Sequence, residues 1–382
     1  MRIVHITPHL PPDQAANALL PFQLGEWARA RGDEVTFVTH PPRAGAAAPA
    51  PGRIVTIPRQ RRGLLQRWLR IGSMANAWRI RRDALPLVET ADVVHVHSNG
   101  LLAESGALLA VSRQKPVILT LYGTEIWHYR ARRFGPDLFT RAYRAARAVT
   151  FYSARLQERA RELGLDRRDG HVVYPPVART FAFHDERARQ ETRAALGIRE
   201  RHLLVNVKRL HPLAGQRHLI EAFASLVRAR VDVRLVICGT GPLLPELQAV
   251  ARSSGVEPHV TFAGLVDNAA VARYCAAADL FVLPSLLEAL PTVAVEALAS
   301  GTPVLSSDNP GGVELHGHFG ADVEIVPREN AAALAEAIAA FLERPRRTVA
   351  STADLIERDF RPEAVAAKYW ALYERVRAGA RA

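Results

Sequence analysis

Cysteine is almost missing from this chain. Of 382 residues only Cys238, in the strand-like run VRLVIC, and Cys275, in the helix-like run VARYCAAA, carry a thiol. Two thiols make no disulfide framework, and no CxxC or Cys/His pair has zinc-ligand spacing, so buried, unreactive cysteines in a reducing compartment are expected. No run approaches the roughly 18 uninterrupted apolar residues of a membrane-spanning helix. The first residues, MRIVHIT, enter a strand with no hydrophobic signal region. The expectation is a cytoplasmic protein whose membrane contact, if any, is peripheral. Lysine is scarce too: Lys115, Lys208 and Lys368 are the only three among 50 basic residues, and no acid at all falls between Arg59 and Arg82.

What is present is an ordinary globular composition, 48% apolar and 23% charged, at a length that suits two domains. The net charge of +12 is uneven. Before residue 180 there are 27 basic and 14 acidic side chains, and after it 23 and 24, so the first part is +13 and the rest −1. A basic half suits nucleic acid, an anionic membrane surface or an acidic small molecule. No recognisable nucleic-acid module and no aromatics interleaved with the arginines support the first of these.

Short β-rich runs alternate with helical stretches: RIVHIT, LLPFQLGEWARARG and EVTFVTH, then DVVHVHS, PVILTLYG and AVTFYS. From His202 the pattern restarts with HLLVNVKRL, VRLVICGTG, HVTFAGLV and LFVLPS. Such alternation predicts parallel β-α-β units and an α/β protein of two doubly wound, Rossmann-like domains facing a cleft. YPPVARTFAF, with adjacent Pro175 and Pro176, opposes helix and strand alike and is taken as the linker. The expected division is 1–178, 179–360 and a terminal helix in 361–382 that crosses back, its Val365, Tyr369 and Tyr373 on one stripe. Ligands of such folds sit at the carboxyl ends of the strands.

The most specific segment is Pro284 to Gly312, PSLLEALPTVAVEALASGTPVLSSDNPGG. Its punctuation predicts a strand ending at Pro284, a loop holding Glu288, and a helix opened by Pro291 and closed by Gly301. The amides of Thr292 and Val293, with the helix dipole, then form an anion site. Glu288 and Glu296 flank it from opposite ends. This suits a sugar nucleotide, with phosphates on the amides, sugar hydroxyls on one carboxylate and ribose hydroxyls on the other.

With EALPTVAVE as an E-x7-E element, and with PVLSSDNPGG, VICGTGPLLPELQ, HVTFAGLV and ADLFVLPS, the chain resembles the retaining glycosyltransferases of family 4, of the GT-B fold. The resemblance implies that Glu288 meets the donor-sugar hydroxyls. It further implies that Ala289, Leu290, Pro291 and Thr292 line the sugar, that Val293 with Thr292 holds the distal phosphate, and that Glu296 holds the ribose. Gly239 and Gly241 would line the nucleotide cleft, and Leu265 and Val266 would hold the base. In VNVKRLHPLAG, Arg209 matches the family's diphosphate-neutralising Arg, whereas Ala214 stands where the family has a Lys; Lys208 and Arg217 are the substitute candidates. The first loop, PPDQAAN, has Ala15 and Ala16 in place of a Gly-Gly pair, beside Asn17. In TLYGTE, Tyr122 stands where the family often has a His that reaches the donor sugar.

On the acceptor side Tyr122, Gly123 and Glu125 are candidates for the cleft, Glu125 on an acceptor hydroxyl. His95 and His97 share one strand face; with no third ligand in view a packed or hydrogen-bonded role is favoured over metal, and His97 is the better cleft candidate. Arg130, Arg132 and Arg133 follow directly as an acceptor-recognition cluster. Arg59 to Arg82 holds eight Arg, with Leu64, Trp68, Ile71, Ala75 and Trp78 on a helical stripe, which fits either solvated packing on the sheet or an interfacial helix at anionic lipid. The resemblance as a whole implies front-face transfer of a hexose-type sugar from a UDP-sugar to a hydroxyl acceptor, with an acidic, phosphorylated or membrane-surface acceptor favoured by the charge. No metal or other cofactor is expected, since no DxD-like pair ends a strand. A phosphorylase or sugar-nucleotide epimerase of the same fold, a binding-only relative and a basic nucleic-acid-binding protein are the alternatives.

Overall fold

The computed structural model describes residues 1–13, 16–42, 50–59, 71–131, 137–167 and 169–379, with 71–74 by backbone alone. The strands of the first sheet are β1 (Arg2–Ile6), β2 (Glu34–Thr39), β3 (Arg53–Thr56), β4 (Val93–His97), β5 (Val117–Leu121), β6 (Ala148–Phe151) and β7 (Gly170–Val172). The second sheet contains β8 (His202–Val207), β9 (Val233–Cys238), β10 (Val260–Gly264), β11 (Leu280–Leu283), β12 (Val304–Ser307) and β13 (Val323–Val326). Their orders are β3-β2-β1-β4-β5-β6-β7 and β10-β9-β8-β11-β12-β13, with every paired neighbour parallel. Strands covered on both faces by helices read as near-continuous apolar runs, as VILTL in β5 and LFVL in β11 do. In each sheet the order reverses once, between β1 and β4 and between β8 and β11. These switch points open a crevice at the carboxyl ends of the strands, where the connections leave in opposite directions.

The chain divides into one unit of Met1–Pro175 with Val365–Ala382 and another of Pro176–Ala364. The break falls between the two prolines of the linker. The terminal helix, Pro362–Ala378, starts in the second unit and from Val365 belongs to the first.

In the first unit the two-residue period of β1 sends Val4 and Ile6 to one face and Ile3 to the other. The Val4 face packs on Ile80, Ala84 and Val88 of the helix Ile71–Thr90 and on Leu102 and Leu109 of the helix Leu101–Ser112. The Ile3 face packs with Phe37 and Ile118 on Leu372, Tyr373 and Val376 of the terminal helix. Each such buried side chain contributes about 1.5–3 kcal/mol, which ties a helix beginning in one unit to the core of the other. In the second unit Leu204, Leu235, Ile237 and Val282 meet Leu219, Ile220 and Phe223 of the helix Gln216–Arg228 and Leu334 and Ile338 of the helix Ala331–Glu343. Cys238 and Cys275 are both free and buried, and desolvation raises both thiols, Cys238 to about 12.

Candidate active site

At the second switch point β8 and β11 pair only at Leu204 and Val205. Beyond that the side-chain amide of buried Asn206 takes over, donating to Val282 O at 2.8 Å. The loops after the two strands are fastened in turn by Leu286 N donating to Leu213 O at 2.8 Å. Here Lys208 Nζ lies 2.5 Å from Glu288 Oε1. The strand ends at Val207, so strand alternation does not apply to Lys208 and Arg209: Lys208 turns to Glu288 while the Arg209 guanidinium is exposed.

Gly239 and Gly241 serve this loop by letting the backbone come close. Gly239 has φ +139°, and a Cβ there would stand 2.1 Å from Lys208 O; one at Gly241 would stand 2.1 Å from Leu210 O. Gly239 N donates to Gly264 O at 2.7 Å, which brings the end of β10 alongside, where Leu265 is 64% exposed and Val266 half-buried. An exposed leucine there offers an apolar surface next to the glycine loop.

The helix Thr292–Ala299 starts one residue later than its proline. Pro291 is the N-cap, at φ −79° and ψ 96°, and no side chain caps the helix. A proline at the cap brings no side-chain acceptor for the Thr292 and Val293 amides, which leaves the helix end suited to an external anion. Gly311 N donates to Glu288 O at 3.1 Å, and a Cβ at Gly311 would come within 3.0 Å of Pro291 and Glu288 atoms, so this glycine sets the path of the loop carrying Ala289 and Leu290. Glu296, one turn into the helix, is partly buried, and desolvation raises its carboxyl to about 7. Ala214 closes a short 3₁₀ turn, Pro212–Ala214, and is 2% exposed, so the family's Lys position points into the core here and no cation fits there without rearrangement.

In the first unit the loop after β1 is tied by Thr7, whose hydroxyl donates to Asn17 O at 2.6 Å, and by His9, whose Nδ1 lies 2.7 Å from Asp13 and 3.2 Å from Arg59. Ala16 opens the helix Ala16–Ala30; Ala15 lies outside the described residues, as do Arg132, Arg133 and residues 60–70 of the arginine run.

Two of the cleft candidates, His97 and Tyr122, are corrected. His97 is fully buried, its Nδ1 2.7 Å from the Tyr122 hydroxyl and its Nε2 3.0 Å from His5 Nδ1. Tyr122 therefore directs its hydroxyl inward to His97, and burial raises its pKa well above the usual tyrosine value. Glu125 is only 3% exposed, with its Oε2 accepting from the amides of Gly123 at 2.8 Å and Tyr122 at 3.2 Å at the start of a short helix, Thr124–Trp127, yet it lines a cavity of the first unit, as a cleft candidate should. The third histidine that the sequence did not reveal is His5, opposite His95 in the β1–β4 register. His95 uses both ring nitrogens on hydroxyls, those of Tyr373 and Thr120, each at 2.7 Å, so as arranged His5 and His97 share a hydrogen bond while His95 packs on His97 with ring centroids 4.0 Å apart. Burial keeps all three well below the ordinary histidine range, hence neutral at pH 7.

Beside them, at the ends of β4 and β5, this cavity of about 190 Å³ is lined by Asn99, Glu104, Glu125, His128, Tyr129, Arg130 and Asp137, among others, with Arg130 exposed at its edge. Of these residues the sequence singles out Glu125 and Arg130. Asp137 caps the helix Leu138–Ala145, its carboxylate accepting from Thr140 N at 3.0 Å.

Two family profiles match the chain: "Glycosyltransferase Family 4" over residues 22–181 and "Glycosyl transferases group 1" over residues 188–358. The chain is similar to TuaC of Bacillus subtilis, a glycosyltransferase assigned to teichuronic acid biosynthesis, at 34% identity over 68% of this chain and 62% of that protein. It is 30% identical to the GDP-mannose-dependent alpha-(1-6)-phosphatidylinositol monomannoside mannosyltransferase of Mycolicibacterium smegmatis, over 71% of this chain and 69% of that one. The match thus spans 62% and 69% of the lengths of these two relatives, and 48% of the Mycobacterium tuberculosis counterpart of the second. Among solved structures, Anabaena HepE in complex with UDP and glucose aligns with TM-score 0.75 at 18% identity, over 98% of this chain and 100% of the other. That likeness is one of fold: two parallel sheets flanked by helices.

Proposed function

The chain belongs to the family 4 glycosyltransferases, and from that premise we propose that it is a retaining hexosyltransferase, moving a sugar from a UDP-sugar to a hydroxyl of an acidic or phosphorylated acceptor. The observation that carries the reading is the Lys208–Glu288 pair, poised at the switch point beside the uncapped helix Thr292–Ala299. A carboxylate, a cation and free amides within one pair of loops match the three demands of a nucleoside diphosphate sugar.

In this reading the Thr292 and Val293 amides hold the distal phosphate, while Lys208 and Arg209 stabilise the charge that grows on the leaving diphosphate. Glu288 accepts hydrogen bonds from the donor-sugar hydroxyls, and Glu296 from the ribose. Leu265 and Val266 carry the base, with Gly239 and Gly241 at its edge. As the bond between the anomeric carbon and the phosphate oxygen breaks, the acceptor oxygen bonds to the same face of that carbon, and the departing phosphate takes the acceptor proton. No side chain forms a covalent intermediate, and the diphosphate charge is met by the protein without a metal. The cavity at Tyr129, Arg130 and Asp137 is the acceptor subsite, its arginine suited to an anionic group.

Product anomeric configuration by NMR tests the mechanism: inversion overturns it, and so does a trapped glycosyl-Glu288 adduct. Glu296→Ala is expected to weaken nucleotide binding, and Glu288→Ala mainly to lower turnover. A thermal-shift panel of UDP, GDP, dTDP and ADP tests the base, because a ligand in large excess over its Kd adds a few kcal/mol of stability. GDP is the second reading, favoured by the similarity to a GDP-mannose-dependent relative. Nucleotide release measured with and without acceptor separates transfer from a phosphorylase or epimerase reaction.

A further inference from the structure

The helix Ile71–Thr90 buries one face completely, with Ile80, Ala84 and Val88 all at 0% exposure, and presents the opposite face to solvent. Trp78 stands at the centre of that outer face, 63% exposed. At about 100° per residue, Arg82 lies about 40° to one side of it, Arg79 about 100° to the same side, and Arg81 about 60° to the other. All three arginines are exposed. The Arg82 guanidinium stacks over the indole at 5.2 Å and donates to Asp83 at 2.7 Å. Asp83 is the first acid after a run that begins at Arg59 and includes Arg61, Arg62, Arg67 and Arg70.

An indole left in water forfeits its hydrophobic gain, whereas a ring with an apolar body and a polar N–H flanked by cations fits the headgroup layer of a bilayer. The charge of the molecule points the same way. The unit containing this helix has 30 basic and 15 acidic side chains, net +15, while the other has 20 and 23, net −3. No helix among the described residues is long and apolar enough to cross a membrane, so a contact made here lies on the surface.

We propose that the Trp78 face of this helix docks on an anionic lipid surface, with the indole among the headgroups and Arg79, Arg81 and Arg82 on lipid phosphates. A soluble polyanion would meet the arginines but give the indole nothing to enter, which is why a bilayer is the chosen partner. Docking deepens the acidic-acceptor reading above, yet its test needs no transfer.

The full chain is sedimented with vesicles of phosphatidylglycerol and phosphatidylcholine, and with phosphatidylcholine alone. Binding is expected only to the anionic vesicles and is expected to fall steeply as salt rises. Trp78→Ala is expected to weaken it at least fivefold and to remove a blue shift of the indole emission. The double variant Arg79→Glu with Arg81→Glu is expected to weaken it further. No binding to anionic vesicles overturns the proposal; so does binding that both variants leave unchanged, or equal binding of Trp78→Ala and wild type accompanied by tight capture of a duplex oligonucleotide. These residues are exposed, and unchanged unfolding curves of the variants establish that they fold. Nucleotide thermal shifts of the same variants, measured without vesicles, are expected to match wild type, so failure of docking and failure of the donor site read out separately.

Discussion

Lys208 Nζ stands 2.5 Å from Glu288 Oε1 across the second switch point, joining the residue just past β8 to the middle of the loop after β11. Both side chains are largely shielded, at 29% and 12% exposure, so their charges act on each other and on anything that enters with less screening than at an open surface. A bound diphosphate would draw the ammonium from Glu288 and release that carboxylate for the sugar.

Lys208→Ala is accordingly expected to lower turnover by about 10²–10³, the size of effect seen when one donor to a developing anion is lost. Stability should change by no more than about 1 kcal/mol, since the lysine is partly solvated. Steady-state kinetics beside urea unfolding checks both. Unchanged turnover assigns Lys208 to structure alone.

Glu296 makes stability depend on pH. Burial raises its carboxyl to about 7 in the folded chain. Between the ordinary glutamate value and about 7 the folded protein holds a proton that the unfolded one has released. Stability therefore falls as pH rises through this window and levels off above it. Glu296→Gln is expected to remove that slope and to exceed wild type at pH 8 by on the order of 2–3 kcal/mol. Nucleotide affinity of the wild type is expected to rise through pH 7, as the carboxylate that accepts the ribose hydroxyls ionises. Urea unfolding and nucleotide titrations at a series of pH values measure both trends.

Ala214→Lys restores the residue found in the family at this position, yet it is expected to harm the protein. The Ala214 methyl is buried, and a longer, charged side chain has to displace packed neighbours or leave the turn. A loss of about 1–3 kcal/mol with no gain in turnover is expected from overpacking. Higher turnover in a stably folded variant would show that the loop has room to move.

Tyr122→Phe deletes the hydroxyl paired with His97. Loss of that buried bond is expected to cost about 1–3 kcal/mol of stability, because the imidazole loses its partner. Turnover per folded molecule should change by less than about threefold, since the hydroxyl is engaged by His97. A fall of a hundredfold at unchanged stability returns Tyr122 to the reaction itself.

Much of the candidate site could be read directly from the residues because its signals are local. Pro284, Pro291 and Gly301 punctuate one strand, loop and helix, and Gly301 at φ +84° is the left-handed stop the sequence implies. The linker prolines and the stripe of Val365, Tyr369 and Tyr373 are likewise features of a few consecutive turns, and all three stripe residues are buried. Lys208 was harder. Its direction depends on the strand ending at Val207, one residue before it, and strand ends are set by the neighbours a strand pairs with.

Part of the acceptor side was illegible for a related reason. His97 and Tyr122 are polar residues at strand ends, which resemble cleft residues in sequence, but they pair with each other inside the first unit, whereas Glu125 does line the cavity. His5 and His97 meet across 92 residues of chain through the β1–β4 pairing.

Sequence by itself determined the alternation of strands and helices, the place of the linker, the helix that ends the Glu288 loop, and the concentration of positive charge before residue 180, since periodicity, punctuation and charge are properties of contiguous residues. Only the tertiary structure decided that three histidines are buried side by side, that Lys208 faces Glu288, that Ala214 is core, and that Trp78 stands among arginines on an outer face. These depend on strand order and register, which distant apolar surfaces set together as they are removed from water.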